Sequence, residues 1–346
     1  MKLEEEIFGL TPEGIQIKRY RLSNRADMMV SVMSFGAILT SVRVPNRMGK
    51  IDDIVLGFDT LDDYLTDVWF LGATIGRYAN RIAQGRFALD GVQYQLAQNS
   101  PPSHLHGGNK GFHKVVWIPE PHVRGDSIGV TFSYLSKEGE EGYPGNLSVQ
   151  VTYTLNEANE LTLGYEATTD QTTPINLTNH TYWNLRGVGS GRILDHELHL
   201  NADCYLPTDE HRIPTGELRP VSNTVMDFRS AERIGGRIAQ VTGGGYNHCY
   251  VLNKKGDPLS LAARVREPHS GRMIEMHTTE PGVHFYTGHF LDGYRGACGI
   301  IYNKYDGFCL EAQHFPNSVN IPHFPSTLLR PGEVYRQTTT FKFLAA

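Results

Sequence analysis

Short segments rich in valine, isoleucine, threonine and tyrosine follow one another along nearly the whole chain, separated by turns of glycine, proline, asparagine and aspartate. Such residues suit a pleated strand, and a period of two gives each strand one face for a core. The clearest local signal is "RFALDGVQYQL", two alternating arms joined by Asp90-Gly91, a two-residue hairpin turn. "LSVQVTYTL" and "LTLGYEAT" form a second hairpin across a longer loop, and "VSVMSFGAILTSVRV" reads as two strands or one bent strand. Further strands are expected in "HCYVLN", "LAARVRE", "RMIEMHTT", "VHFYTGHFL", "GFCLEAQHF" and "RQTTTFKFL". Helical periodicity is confined to short pieces, Leu61 to Leu65 and Ala231 to Ile238. Many strands at short spacing predict an all-β sandwich or barrel.

The 36 glycines and 18 prolines of the 346 residues are spread along the chain, with no low-complexity linker and no clean repeat. One domain over residues 1–346 is the expectation. A net charge of -5 without basic patches argues against a nucleic-acid partner. No run of about 18 apolar residues exists to cross a membrane. The opening "MKLEEEIFGL" lacks the apolar stretch of a secretory leader, and the four cysteines lack CxxC spacing. Reduced thiols in the cytoplasm are therefore expected. Nothing in the sequence fixes the oligomeric state.

Polar density recurs at five places: "GRYANRIAQGRF", "SHLHGGNKGFHKVVW", "INLTNHTYWNL", "GGGYNHCYVL" and "GFCLEAQHFPNSVN". In the third, alternation puts Leu177, Trp183 and Leu185 on one face and Asn176, Thr178, His180, Tyr182 and Asn184 on the other. Asparagine, histidine and tyrosine in a row are unusual for a solvated strand face. His180 alone fits equally a core histidine satisfied by neighbouring amides, and Asn80 and Arg81 fit a surface loop. Glu311 lies within a strand, facing the same way as Cys309 and Gln313 and flanked by apolar residues. Glutamate is poor strand filler, so a functional role is favoured there. His104 and His106 have the spacing of a metal-binding pair, as in cupin-type sandwiches, but no acidic residue follows before Glu120. The two glycines after His106 suggest a loop whose backbone comes close to a ligand.

Taken in order, "GRYANR", "LHGG", "NLTNHTYWNL", "PGVHFYTGHFLDG" and "LEAQHFP…LLRPGE" resemble the aldose 1-epimerase (galactose mutarotase) family. The resemblance runs from about Leu39 to Phe343. It implies a large antiparallel β-sandwich of the galactose mutarotase-like type, with a small aldose bound in a cleft and neither metal nor organic cofactor. Residue by residue it implies Glu311 as general base and His180 as general acid. Asn80, Arg81, His106 and Tyr182 become sugar contacts, His104 has no assigned role, and the polar row around His180 becomes the floor of the sugar site. Two positions depart from the family pattern: Asn247 stands where "GYDH" has aspartate, and His284 where "PGVQFYTG" has glutamine. Both bear on which sugar is preferred.

The implied reaction interconverts the anomers of a reducing sugar. The C1 hydroxyl loses a proton, the ring oxygen gains one, the ring opens, and closure on the other face reverses both transfers. A positioned acid and base contribute roughly 10²–10⁴-fold to such a reaction. The expected resting pair is Glu311 ionised and His180 protonated. Two rivals use other residues or none: a non-catalytic carbohydrate-binding protein needs no acid-base pair, and a metal isomerase needs His104 and His106 with a carboxylate. An epimerase of phosphorylated sugars needs a cationic subsite, for which Arg81 is the one motif arginine available.

Overall fold

The computed structural model describes the whole chain, Met1–Ala346, and its regular elements are nearly all strands. Three antiparallel sheets dominate. The first joins Lys2–Leu10, Gln16–Ser23, Met29–Met33, Ile38–Pro45 and Ile51–Asp53 in chain order. The second has nine strands and contains the Leu147–Asn156/Glu160–Thr169 hairpin, with the C-terminal strand Tyr335–Ala345 laid between Glu160–Thr169 and Arg272–Thr278. The third runs Arg219–Pro220, Ala202–Tyr205, Asn247–Leu252, Gly282–Tyr286, Cys309–Gln313.

Burial follows the period-two pattern in the nine-stranded sheet. Leu147, Val149, Val151, Tyr153 and Leu155 are buried while Ser148 and Gln150 are exposed. Each fully buried valine or leucine there contributes roughly 1.5–3 kcal/mol. All three sheets feed one core cluster of 57 residues, which includes Leu22, Val151, Leu163, Val283, Phe285 and Leu310.

The third sheet is different, because its strands Gly282–Tyr286 and Cys309–Gln313 are buried at every position. Val283, Phe285, Leu310 and Ala312 face the core, so the alternate residues, His284 and Glu311 among them, face a second enclosed space. That geometry lets polar side chains stand on a buried face.

The Asp90-Gly91 hairpin forms as expected, with Asp90 and Gly91 both at positive φ between Arg86–Leu89 and Val92–Gln95. The short helix is present at Leu61–Thr66, capped by Thr60. The second expected helix is not. Glu232–Arg233 is a strand, followed by single turns at Ile234–Gly236 and Ile238–Gln240, because Gly235 and Gly236 interrupt the run with helix-destabilising residues. No helix is long and apolar enough to cross a membrane.

Candidate active site

The expected floor strand, Ile175 to Leu185, is buried throughout but is not one strand. Thr173–Pro174 pairs with Leu328–Leu329, Thr178–Asn179 with Thr74–Ile75, and Trp183 bridges to Val55 and Phe308. Changing partners turns the side chains in different directions, so the polar row is split. Asn176 donates to the carbonyls of Ala79 and His314, and Asn184 to those of Gly191 and Asp306. These amides tie down loops. Only His180 and Tyr182 of the row line the cavity, which corrects the expectation that the whole row forms its floor.

That cavity has a volume of about 190 Å³. It gathers Asn80, Arg81, His106, His180, Tyr182, Asn247, His284 and Glu311 from segments scattered over more than two hundred positions. The Arg81–Ile82 strand pairs with His104–Leu105, setting "ANR" beside "LHGG", and the N–H of His106 donates to the Asn80 carbonyl. The Asn80 N–H donates to His106 Nδ1 at 3.2 Å, which leaves Nε2 to carry the proton of the neutral ring. Asn80 Oδ1 accepts from the Arg81 N–H, so its amide nitrogen stays free to donate. The Arg81 guanidinium makes no direct ion pair, but its charge acts on Glu311 across the cavity. On the third sheet His284 lies opposite Glu311 on one side and Cys249 on the other, and its Nε2 is 2.6 Å from Asn247 Oδ1. Trp69, Phe70, Tyr286 and Phe290 supply the apolar wall.

His104 and His106 part company. His106 sits at φ 51, so the two rings do not share a face. Both His104 nitrogens are occupied, Nδ1 by the Ala97 carbonyl at 2.7 Å and Nε2 by the Tyr143 hydroxyl at 2.8 Å. The following glycines do not approach the cavity either. A side chain on Gly107 would strike the Gly76 carbonyl and one on Gly108 the Glu141 carboxylate, so close loop packing explains them. The donors of His106, His180 and Glu311 do lie within 4.8 Å of one another and can converge on a cation. His180 Nε2 and Glu311 Oε1 are 3.8 Å apart, wider than the roughly 3.3 Å between two ligands of a tetrahedral zinc.

Burial sets the electrostatics. It pushes the Glu311 carboxyl up to about 8 against the opposing pull of Arg81, and the His180 imidazole down to about 4. His106 and His284 are pushed well below the ordinary histidine range, by burial first and then by the surrounding histidines and Arg81. At neutral pH these directions leave Glu311 protonated and His180 neutral, the reverse of the expected ionised pair. Desolvation disfavours both charges, yet the proton count is unchanged: one proton on two groups.

The sequence reading missed several lining residues. Cys309, which parity places two positions before Glu311 on the same face, does not line the cavity and instead packs in the hydrophobic cluster behind it. Burial holds its thiol well above the ordinary range, and its Sγ is 3.6 Å from His180 Nδ1. Phe70 packs its ring 5.8 Å from that of His180. Arg212 comes from a loop, where no periodicity marks it, and Phe290 lies in the turn that follows Gly282–Tyr286, because the strand expected through "VHFYTGHFL" stops at Tyr286.

A β-sandwich that buries a carboxylic acid beside an imidazole in a small cavity of amides, arginine and aromatic faces has the form of an enzyme with a small polar substrate. The aldose 1-epimerase family profile matches residues 18–342. Galactose mutarotase of Sus scrofa is 46% identical over 100% of both chains. Among solved structures, a GalM/aldose epimerase homologue from C. elegans superposes with a TM-score of 0.88 at 34% identity, covering 94% of this chain and 98% of that one. Galactose 1-epimerase from Lactobacillus acidophilus NCFM gives a TM-score of 0.87 at 29% identity, covering 99% and 98%. The chain belongs to the aldose 1-epimerase family, and it is an isomerase with aldose 1-epimerase activity.

Proposed function

We propose that Glu311 and His180 carry the two proton transfers of anomer interconversion and that galactose is among the sugars handled. The observation that carries this reading is Glu311 itself: a fully buried carboxyl whose Oε2 has no hydrogen-bond partner, 3.8 Å from an imidazole, at the wall of a cavity. A buried polar atom left without a partner is costly, and a substrate hydroxyl supplies one. The sugar's hydroxyls and the Arg81 guanidinium favour the ionised carboxylate, so binding draws the proton from Glu311 toward His180. Glu311 then takes the proton of the C1 hydroxyl while His180 gives one to the ring oxygen. Closure on the other face runs both transfers backward and restores the pair. Asn80, Arg81, His106, Tyr182, Asn247 and His284 hold the remaining hydroxyls, and the aromatic wall covers the C–H face.

The galactose assignment follows the similarity to galactose mutarotases. All of the chain, built on a core fed by three sheets, serves this one cavity as a single domain. Four unpaired cysteines suit a reducing compartment such as the cytoplasm. The test is optical rotation of freshly dissolved α-galactose, with and without EDTA. Rapid, chelator-resistant relaxation is expected. Relaxation no faster than the uncatalysed rate, or one abolished by EDTA and restored by a divalent ion, contradicts the reading.

A further inference from the structure

One strand holds both ends of the His180 ring. Cys309 and Glu311 stand two positions apart on Cys309–Gln313 and point the same way. Glu311 Oε1 lies 3.8 Å from His180 Nε2, and Cys309 Sγ lies 3.6 Å from His180 Nδ1. Nε2 therefore meets the cavity, and Nδ1 meets a thiol buried in the apolar cluster behind it. The two proton transfers give Cys309 no part, yet it is the one side chain within hydrogen-bond reach of Nδ1.

Packing alone cannot place the two nitrogens. The His180 ring lies against the rings of Phe70, at 5.8 Å, and Tyr182, at 5.0 Å, each inclined to it by 31°. Such contacts fix the plane of the imidazole. They are nearly blind to a half-turn about χ2, which exchanges nitrogen and carbon around the ring, and to which nitrogen carries the proton. Only a hydrogen-bond partner tells those states apart.

To take a proton on its cavity side, neutral His180 needs a bare Nε2 and so its own proton on Nδ1. A histidine free in water prefers the opposite tautomer. We propose that Cys309 is a positioning residue for His180: its sulfur accepts a hydrogen bond from the Nδ1–H, which turns a bare Nε2 toward Glu311 and the sugar. The inference rests on the reading of His180 as the proton-transfer partner of Glu311. Sulfur is a weak and uncharged acceptor. It orients the ring without stabilising the imidazolium as a carboxylate at Nδ1 would. Burial therefore keeps His180 at about 4, and the protonated ring is a strong acid toward the sugar's ring oxygen. The thiol keeps its own proton, because burial holds it well above the ordinary range. The contact between Nδ1–H and Sγ lasts through the whole cycle, since only Nε2 gains and loses a proton.

Nitrogen-15 NMR of histidine-labelled enzyme near pH 7 tests this, with the His180 signals assigned by their loss in His180→Asn. The wild-type ring is expected in the Nδ1–H tautomer. In Cys309→Ala the Nε2–H tautomer should gain, and kcat for anomer interconversion should fall roughly ten-fold while KM barely moves. Cys309→Ser, whose hydroxyl also accepts, should recover part of both. Lost packing in the alanine variant would lower its melting temperature, but would not by itself move the tautomer. A wild-type ring in the Nε2–H form overturns the proposal and needs no variant. So does a Cys309→Ala enzyme with the wild-type tautomer and kcat. Full activity in His180→Asn would instead strike at the proton-transfer reading, and the wild-type spectrum would still decide whether Cys309 sets the ring.

Discussion

Glu311 shows how far a single residue can be read from its neighbours. Parity along "GFCLEAQHF" places it opposite Leu310 and Ala312, and the structure puts those two in the core and Glu311 in the cavity. Its protonation was not legible, because that depends on how much water the surrounding sheets exclude. A carboxyl raised from 4.5 to about 8 binds its proton more tightly folded than unfolded. The stability this confers is present below pH 4.5 and is lost as pH rises through 8, where a buried charge must be tolerated. Glu311→Gln should therefore lower kcat by roughly 10²-fold or more while melting higher than the parent, by about 5 °C at pH 8.5. Paired thermal melts and optical-rotation assays check this. A variant that loses activity together with stability would mean that Glu311 has a structural partner.

At the scale of elements, the Asp90-Gly91 hairpin was legible because its two arms are adjacent in sequence and its turn residues are chemically specific. The segment around His180 was legible in composition but not in geometry. Its partners, Thr74, Val55, Phe308 and Leu329, lie up to 156 positions away, counting from Leu329 back to Thr173, and alternation within the segment does not reveal where it changes partner. The result is a division of labour among similar residues. Asn184 donates at 2.7 and 2.9 Å to two loop carbonyls and accepts from the Arg186 N–H, whereas His180, four positions earlier, meets the cavity. Asn184→Ala should cost about 2–4 kcal/mol in urea denaturation, because it strands buried backbone groups. The Michaelis constant of the folded fraction should barely move. A raised Michaelis constant at unchanged stability would show that Asn184 reads the sugar instead.

Across the whole molecule, strand spacing was enough to give an all-β sandwich, but not the order of strands in three sheets, since sheet pairing is long-range. The sheets enclose an unusual number of histidines. Burial lowers His113 to about 3 and His180, His196, His248 and His289 to about 4. Unfolded, each binds a proton near pH 6.5, so the unfolded chain gains protons that the folded one refuses. Stability is full above pH 6.5 and is lost as pH falls through that value toward 4. A melting temperature lower by about 5 °C or more at pH 5 than at pH 7 is expected, and equal values would mean that these rings reach solvent. The same dry interior makes the catalytic pair a one-proton device between its two limits. Below about 4 His180 gains a second proton, and above about 8 Glu311 loses the only one. The pH profile of kcat/KM for anomer interconversion tests this most directly. A plateau through neutrality that falls away near pH 4 and near pH 8 is expected, with the alkaline limb absent from the residual activity of Glu311→Gln; an alkaline limb that persists in that variant would rule out Glu311 as its source.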